Sequence, residues 1–335
     1  MTTLSALLQR LSSPALSLTT STQRLDPLVL SRFYDLLPNS SISTFIDDDA
    51  ISGEISSPVR SSFQWLFHPS CDVLNFPPPD SDLSIPNCNG LDGNPMLVSR
   101  WCRRMWVSGS MTFHTPFYPK ELVEKTTKIN KIEEKKTQRQ GSALFVERQS
   151  VMEGDRGGYM TESLTHAYLQ NTRYNHNQNK TTTTTPSPSP SPTPETKIFL
   201  LQETVQYIDS ILLFKYSALT YNAHRIHYDR DYATKVEGYP DLVVHGPLIA
   251  SILLDFYQQH LCRSMEQDKW SGYTFSYRGK LPLFVGSDMH VSAWTEGGVE
   301  ESTDHKQLNS VMMAAKNDDG QIIMEAQVTK RKVHR

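Results

Sequence analysis

Cysteine is scarce in this chain of 335 residues: there are four, Cys71, Cys88, Cys102 and Cys262, and no two form a Cys-x-x-Cys pair. Zinc ribbons and thioredoxin-type redox sites both need that spacing, so both are excluded. A disulfide framework is equally out of place in a chain long enough to bury a core of its own. The cysteines read as plain thiols. Charge of one sign is missing too. With a net charge of −3 and no basic stripe, no nucleic-acid partner is expected. The lysine-rich run KTTKINKIEEKK is offset by glutamates and reads as a solvated strand-turn face. Long apolar runs are absent as well. The longest, Leu242 to Leu254, is broken by His245 and Pro247 and falls short of the roughly 20 residues a membrane span needs.

What is present is a soluble-type composition, 38% apolar and 21% charged, on a length that favours two domains. The opening MTTLSALLQRLSSPALSLTTSTQRL carries Arg10 and Arg24, is rich in Ser, Thr and Leu, and has no acid before Asp26. That is the composition of a mitochondrial targeting segment over residues 1–25, with the matrix as destination. NTRYNHNQNKTTTTTPSPSPSPTPETK (171–197) cannot pack a core and marks a linker or insertion. NFPPPDSDLSIPNCNGLDGNP (75–95) reads as a long loop. The remainder divides into 26–170 and 198–335.

In the first part, LDPLVLSRFYDLLP (25–38) predicts a helix with Asp26 as N-cap and Pro27 at N1. Strand-like segments follow at 103–117, 122–136, 143–152 and 162–170. In the second part, IFLLQETV predicts a strand and KYSALTYN leads into YNAHRIHYDRDYA. A single strong helix comes next. PLIASILLDFYQQHL repeats its apolar positions at helical spacing and is apolar enough to be buried. Strands return in YTFSYRGKLPLF, DMHVSAWTE, QLNSVMMAAKN and IIMEAQVTKRK, the last two joined by an Asp-Asp-Gly turn. One buried helix wrapped by an antiparallel sheet is an α+β arrangement.

The segments FKYSALTYNAHRIHYDRDYA and LVVHGPLIASILLDF together resemble the hydratase-2 motif of the MaoC-like hot-dog enzymes. Within that group the chain is most similar to the double hot-dog 3-hydroxyacyl-thioester dehydratases of fungal mitochondria and the bacterial mesaconyl-CoA hydratase-like proteins. SRWCRRMWVSGSMTFHTPF and the region around QGSALFVE extend the likeness to the first half. The resemblance implies a double hot-dog fold, with 26–170 a degenerate copy that builds an acyl tunnel and 198–335 the catalytic copy.

The family pattern places Asp, Asn and His at the first, third and sixth positions of a short segment; Asn222, His224 and His227 stand there in this chain. His227 inherits the family histidine, whereas an amide replaces the usual carboxylate. Dehydrating a 3-hydroxyacyl thioester requires a base for the α-proton, an acid for the departing hydroxyl and a donor for the enolate-like oxygen. Imidazole serves either proton role near neutral pH, and Asn222 only orients by hydrogen bonds. His227 is therefore the first candidate for the proton work and His224 the second.

Gly246 lies where the buried helix starts. Its N–H matches the family's donor to the thioester carbonyl, at a helix end that favours negative charge. Glycine there also admits close approach of a substrate. Arg225 reads either as a contact to the phosphates of the carrier or as a solvated surface arginine. His245 reads as structural packing beside the helix start, and Asp229 and Asp231 as caps of the turn after the motif. His114, in FHTPF, has no second motif around it.

No cofactor and no metal are expected. The expected partner is an acyl thioester on acyl carrier protein or coenzyme A, and a homodimer is a candidate assembly. The alternatives are a hydratase of a branched or dicarboxylic enoyl-CoA of mesaconyl type, a thioesterase, or a non-catalytic acyl-binding protein.

Overall fold

Apolar residues at every second position, alternating with Ser, Thr, Lys and Glu, build ten strands in a single antiparallel sheet. The computed structural model describes residues 18–37, 59, 61, 63–66, 103–137, 141–169, 197–205, 207–222, 224–261, 272–296 and 310–330. The strands are β1 (Leu18–Arg24), β2 (Arg103–Thr115), β3 (Leu122–Thr137), β4 (Gly141–Gly154), β5 (Tyr159–Leu169), β6 (Lys197–Val205), β7 (Tyr273–Gly279), β8 (Met289–Glu296), β9 (Ser310–Lys316) and β10 (Ile322–Lys330). Among the described residues three α-helices complete the frame: α1 (Pro27–Tyr34), α2 (Ser210–Thr220) and α3 (Gly246–Phe256).

The sheet order is β1-β3-β4-β5-β2-β7-β10-β9-β8-β6. It reads the same from either edge once β6 is matched to β1, β7 to β2 and so on, so two like halves meet at β2 and β7. The fold is a double hot-dog. Residues that face each other across the seam are chemically alike. Ser110 pairs with Ser276 and Thr112 with Thr274, their hydroxyls 3.1 and 3.0 Å apart. On the other face Met111 lies opposite Phe275 and Phe113 opposite Tyr273, all buried. The seam thus buries aromatic and sulfur-containing side chains on one side and matches hydroxyls on the other.

Helix α3 packs on β7, β9 and β10. Every residue from Leu248 to Phe256 is buried, the polar Ser251 and Asp255 included, so the helix has no solvent face over that stretch. At the other end of the chain, Asp26 caps α1 by accepting from the N–H groups of Leu28 and Val29, as its position before Pro27 predicts. The Asp-Asp-Gly turn stands between β9 and β10, with Gly320 at φ 73°, a left-handed conformation suited to glycine.

Three expectations change. KTTKINKIEEKK holds no turn: it lies inside the 16-residue strand β3, paired with β4 along its length and bulged between Ile129 and Lys131. At its exposed end Glu133 pairs with Lys131 and Lys135, while Lys125 at the other end pairs with the buried Glu162. Helix α2 stands where the sequence shows only a lead-in to the histidine motif. Leu213 and Tyr216 are buried while Ile211 and Phe214 are exposed, so no apolar stripe announces the helix. Finally, Leu18–Arg24 pair with Leu122–Lys128 as an edge strand. That strand, which the sequence does not announce, lies within the segment 1–25 expected to direct targeting. Residues 1–17, the Thr/Ser/Pro stretch up to residue 196, the 75–95 loop and all four cysteines lie outside the described residues.

At the seam, Gly109 has no room for a side chain: a Cβ there would stand 2.1 Å from the Tyr277 hydroxyl and 3.0 Å from the Ser163 carbonyl oxygen. Gly109→Ala is expected to destabilise the protein by about 1–3 kcal/mol through overpacking. Chemical denaturation would read this, and a midpoint equal to wild type would show that the seam is looser than described.

Candidate active site

Helix α2 begins the site. Asp209 caps it through the Leu212 N–H, and it ends at Tyr221, whose φ of 51° is left-handed. This reversal lets the Asn222 N–H reach the Ser217 carbonyl at 2.9 Å and closes the helix. Asn222 is therefore set immediately beyond a rigid helix end. Its Oδ1 accepts the His224 N–H at 3.2 Å, a side-chain turn that assigns oxygen and nitrogen in the amide. The amide hydrogens are then what Asn222 offers to a substrate.

The histidine segment itself forms a short 3-10 turn, Arg225–His227. His-x-x-His on an α-helix would stack both rings on one face; in this tight turn the rings of His224 and His227 meet edge to face, 5.5 Å apart. His227 is buried, and its Nδ1 lies 2.7 Å from the Val243 carbonyl oxygen. A carbonyl only accepts, so Nδ1 carries the hydrogen and Nε2 is the basic nitrogen of the neutral ring. Val243 also donates to the Ile226 carbonyl at 2.9 Å, so the turn is tied twice to one residue.

Val243 is held in turn. Residues 242–244 run antiparallel to 283–285, with Val244 donating to Leu283 and Val285 to Leu242. This short ladder delivers the chain to His245, which adopts an extended conformation at the N-cap of α3. Gly246 follows in the first turn, where an N–H has no carbonyl behind it within the helix.

His245 is fully buried and stacks face to face on His227, ring centroids 3.7 Å apart and planes 20° from parallel. Its Nε2 is 2.8 Å from the Ser217 hydroxyl, while its Nδ1 has no hydrogen-bond partner. Burial, together with the neighbouring His227 and His224, pushes the His245 pKa well below the usual imidazole range. The ring is therefore neutral in the folded protein.

Asn222, His224 and His227 share one short stretch of chain, and through the His227–His245 stack that stretch meets the residue before Gly246. Arg225 is engaged on the turn: it grips Asp229 through Nε and Nη2 at 3.1 and 2.7 Å and lies over the Tyr232 ring. Asp229 accepts the Tyr232 N–H and caps the following turn, while Asp231 pairs with Lys235. His114 packs on Tyr159 in the other half of the sheet. Among the described residues no group of three or more His, Cys, Asp or Glu is arranged to hold a metal.

Two features escaped the sequence. Ser217 looks like any helix serine, and only the fold places it on His245. Trp106, from β2 in the first half, fills the side of Gly246 where a Cβ would stand, with a ring atom 2.4 Å from that position. Glycine is required here by the indole, so the reason first assigned to Gly246, close approach of substrate, is at most half of the account. Trp106 is itself stacked on Tyr277 at 4.4 Å.

Comparison with known proteins follows the same lines. Residues 73–285, more than half of the chain, match the family model described as hydroxyacyl-thioester dehydratase type 2. The chain belongs to that family. A segment of 76 residues is 53% identical to mesaconyl-C(4)-CoA hydratase of Chloroflexus aurantiacus, covering 23% of this chain and 25% of that protein. Another of 84 residues is 36% identical to the mitochondrial hydroxyacyl-thioester dehydratase type 2 of Schizosaccharomyces pombe, covering 24% and 26%. The matched segments thus span about a quarter of these curated relatives.

Among solved structures, a MaoC-like dehydratase from Phytophthora capsici superposes with a TM-score of 0.64 at 14% identity, over 97% of this chain and 98% of that one. A Mycobacterium tuberculosis protein described as a double hotdog fold gives 0.51 at 11% identity, over 93% and 96%. At such identities these likenesses speak for the fold.

The neutral His245 has a measurable consequence. The unfolded chain protonates this histidine below about pH 6.5, whereas the folded protein does not. Its contribution to stability is therefore undiminished above that pH and falls as the pH drops below it. His245→Phe should remove up to one proton from the linkage, flattening the acid slope of unfolding free energy by as much as about 1.4 kcal/mol per pH unit. Denaturation series at several pH values would read this; parallel slopes for variant and wild type would contradict it.

Proposed function

We propose that the protein is a hydro-lyase that interconverts (3R)-3-hydroxyacyl and trans-2-enoyl thioesters. The observation that carries this reading is the buried His227, its Nδ1 committed to a carbonyl and its Nε2 left basic, one ring away from the N-terminus of α3. In the dehydration direction His227 Nε2 takes the α-proton and the electrons move onto the thioester carbonyl, whose oxygen meets the Gly246 N–H. Collapse of the enolate forms the α,β double bond and breaks the C–O bond. The departing hydroxyl takes the proton back from the imidazolium and leaves as water. Asn222 orients the hydroxyl through its amide hydrogens, and the α3 dipole favours the negative oxygen. His224, on the same turn, is the second candidate for the proton.

We further place the chemistry in residues 198–335 and assign residues 26–170 to an acyl-binding role; Trp106, reaching Gly246 from that half, supports a shared site. The carrier is acyl carrier protein or coenzyme A, with Arg225 a candidate contact to its phosphates. A mitochondrial setting, in type II fatty acid synthesis, is supported by the acid-free residues 1–25 and by the mitochondrial name of the Schizosaccharomyces pombe relative. The second reading is a hydratase of a branched or dicarboxylic enoyl-CoA, which the 53% identical segment of the Chloroflexus aurantiacus enzyme favours.

A panel of enoyl and 3-hydroxyacyl thioesters, differing in length and polarity and offered on both carriers, separates these readings. Loss of the enoyl chromophore without free thiol is expected; release of thiol would make the protein a thioesterase instead.

On the best substrate, His227→Ala should lower kcat by about 100-fold or more with the fold intact. Asn222→Ala should also be costly, whereas Asn222→Asp keeps an acceptor for the His224 N–H and should retain part of the activity. A modest loss in His224→Ala makes His224 an orienting group, and a loss equal to that of His227→Ala makes the two act together. Near-normal turnover by His227→Ala would defeat the mechanism.

A further inference from the structure

The hydrogen bond from His227 to Val243 fixes one edge of the imidazole but leaves the ring able to turn about the N–H···O axis. A second contact must set its plane. His245 supplies that contact, stacked at 3.7 Å and 20°. It is itself held at its far nitrogen by Ser217, which α2 positions five residues before Asn222. The peptide unit that follows His245 carries the Gly246 N–H. We propose that His245 is a positioning residue: Ser217 clamps an uncharged imidazole on which His227 lies flat, tying the plane of the proton-transfer ring to the peptide that offers the Gly246 N–H. This rests on the roles given above to His227 and Gly246.

Simple space-filling does not account for the arrangement. An apolar ring would fill the same volume without leaving a buried Nδ1 unpaired, an arrangement that costs stability. The clamp also works in only one charge state. Two stacked imidazolium rings would repel, so a proton gained by the pair has to reside on His227. The groups facing the pair agree with this assignment. Tyr216, 4.9 Å from His245 on α2, is kept protonated and neutral by burial. Ser217 is uncharged, and His224 stands beyond His227 on the turn. With His245 neutral, its edge-held ring is a fixed surface rather than a competitor for the proton.

The test compares His245→Ala, His245→Phe and Ser217→Ala with wild type. It uses ring-nitrogen NMR of the protein alone and steady-state kinetics on the best thioester. In wild type, His227 should show one tautomer, protonated at Nδ1, and His245 should stay neutral until acid unfolding. In His245→Ala the His227 ring should keep Nδ1 protonated but lose its fixed plane, so that its ring-nitrogen signals broaden by exchange, and kcat should fall about 10- to 100-fold, as misplacement of a reacting group does. KM should stay within about 3-fold.

His245→Phe keeps the flat face and should restore the sharp ring-nitrogen signals and most of kcat; Ser217→Ala should fall between. Sharp His227 ring signals with wild-type kcat in His245→Ala, or equal losses in the Ala and Phe variants, would overturn the proposal. Should the Ala variant fail to fold, the Phe and Ser217→Ala variants decide by the same readouts. Absence of hydro-lyase activity in wild type would defeat the functional reading, while the ring-nitrogen spectra would still decide the positioning role.

Discussion

The 2.7 Å hydrogen bond between His227 and the Val243 carbonyl joins two pieces of chain that have no local reason to meet. One is a 3-10 turn after α2; the other is a two-stranded ladder that feeds α3. Because a carbonyl accepts and never donates, this bond chooses the tautomer, and with it which nitrogen is basic. Val243 answers by donating to Ile226, so the turn cannot drift without breaking both bonds. Everything else in the site is placed relative to that junction: His245 on the ring, Gly246 on the helix, and Asn222 at the close of α2.

The rigidity behind it comes from burial. Helix α3 is buried from Leu248 to Phe256 and packed on β7, β9 and β10, so its first turn is held by the core. Polar groups at that end pay a desolvation cost unless paired, and most are paired through backbone bonds, with Ser217 serving His245. One exception, His245 Nδ1, sits at the point where the histidine turn and the helix start touch. The first half of the chain reaches the same point through Trp106, which occupies the space a side chain at 246 would need. A site on one half is thus closed by a residue from the other, and the seam between β2 and β7 that joins the halves contributes to the site as well as to the fold.

Much of this was legible in the amino-acid order. Strand alternation, the Asp26-Pro27 helix start, the Asp-Asp-Gly turn and the largely apolar α3 are local patterns, and each reports a local cause: pleat, cap, turn geometry or burial. The His-x-x-His segment and the later His-Gly-Pro named two stretches that the structure joins through the His227–His245 stack. Helix α2 was not legible, because its buried Leu213 and Tyr216 are offset by exposed Ile211 and Phe214 and no periodicity emerges. The charged run in β3 misled for a related reason. Its lysines and glutamates suggest a turn inside the strand-like stretch, yet all of them lie within one long paired strand.

What the sequence determined alone, then, were the elements and the chemical inventory of the motif, since both depend on neighbours a few residues apart. Tertiary structure decided the rest. Which nitrogen of His227 is basic depends on a carbonyl sixteen residues away, the neutral state of His245 on complete burial, and the need for glycine at 246 on an indole 140 residues earlier in the chain. These are contacts between segments that share no periodicity, and packing alone creates them.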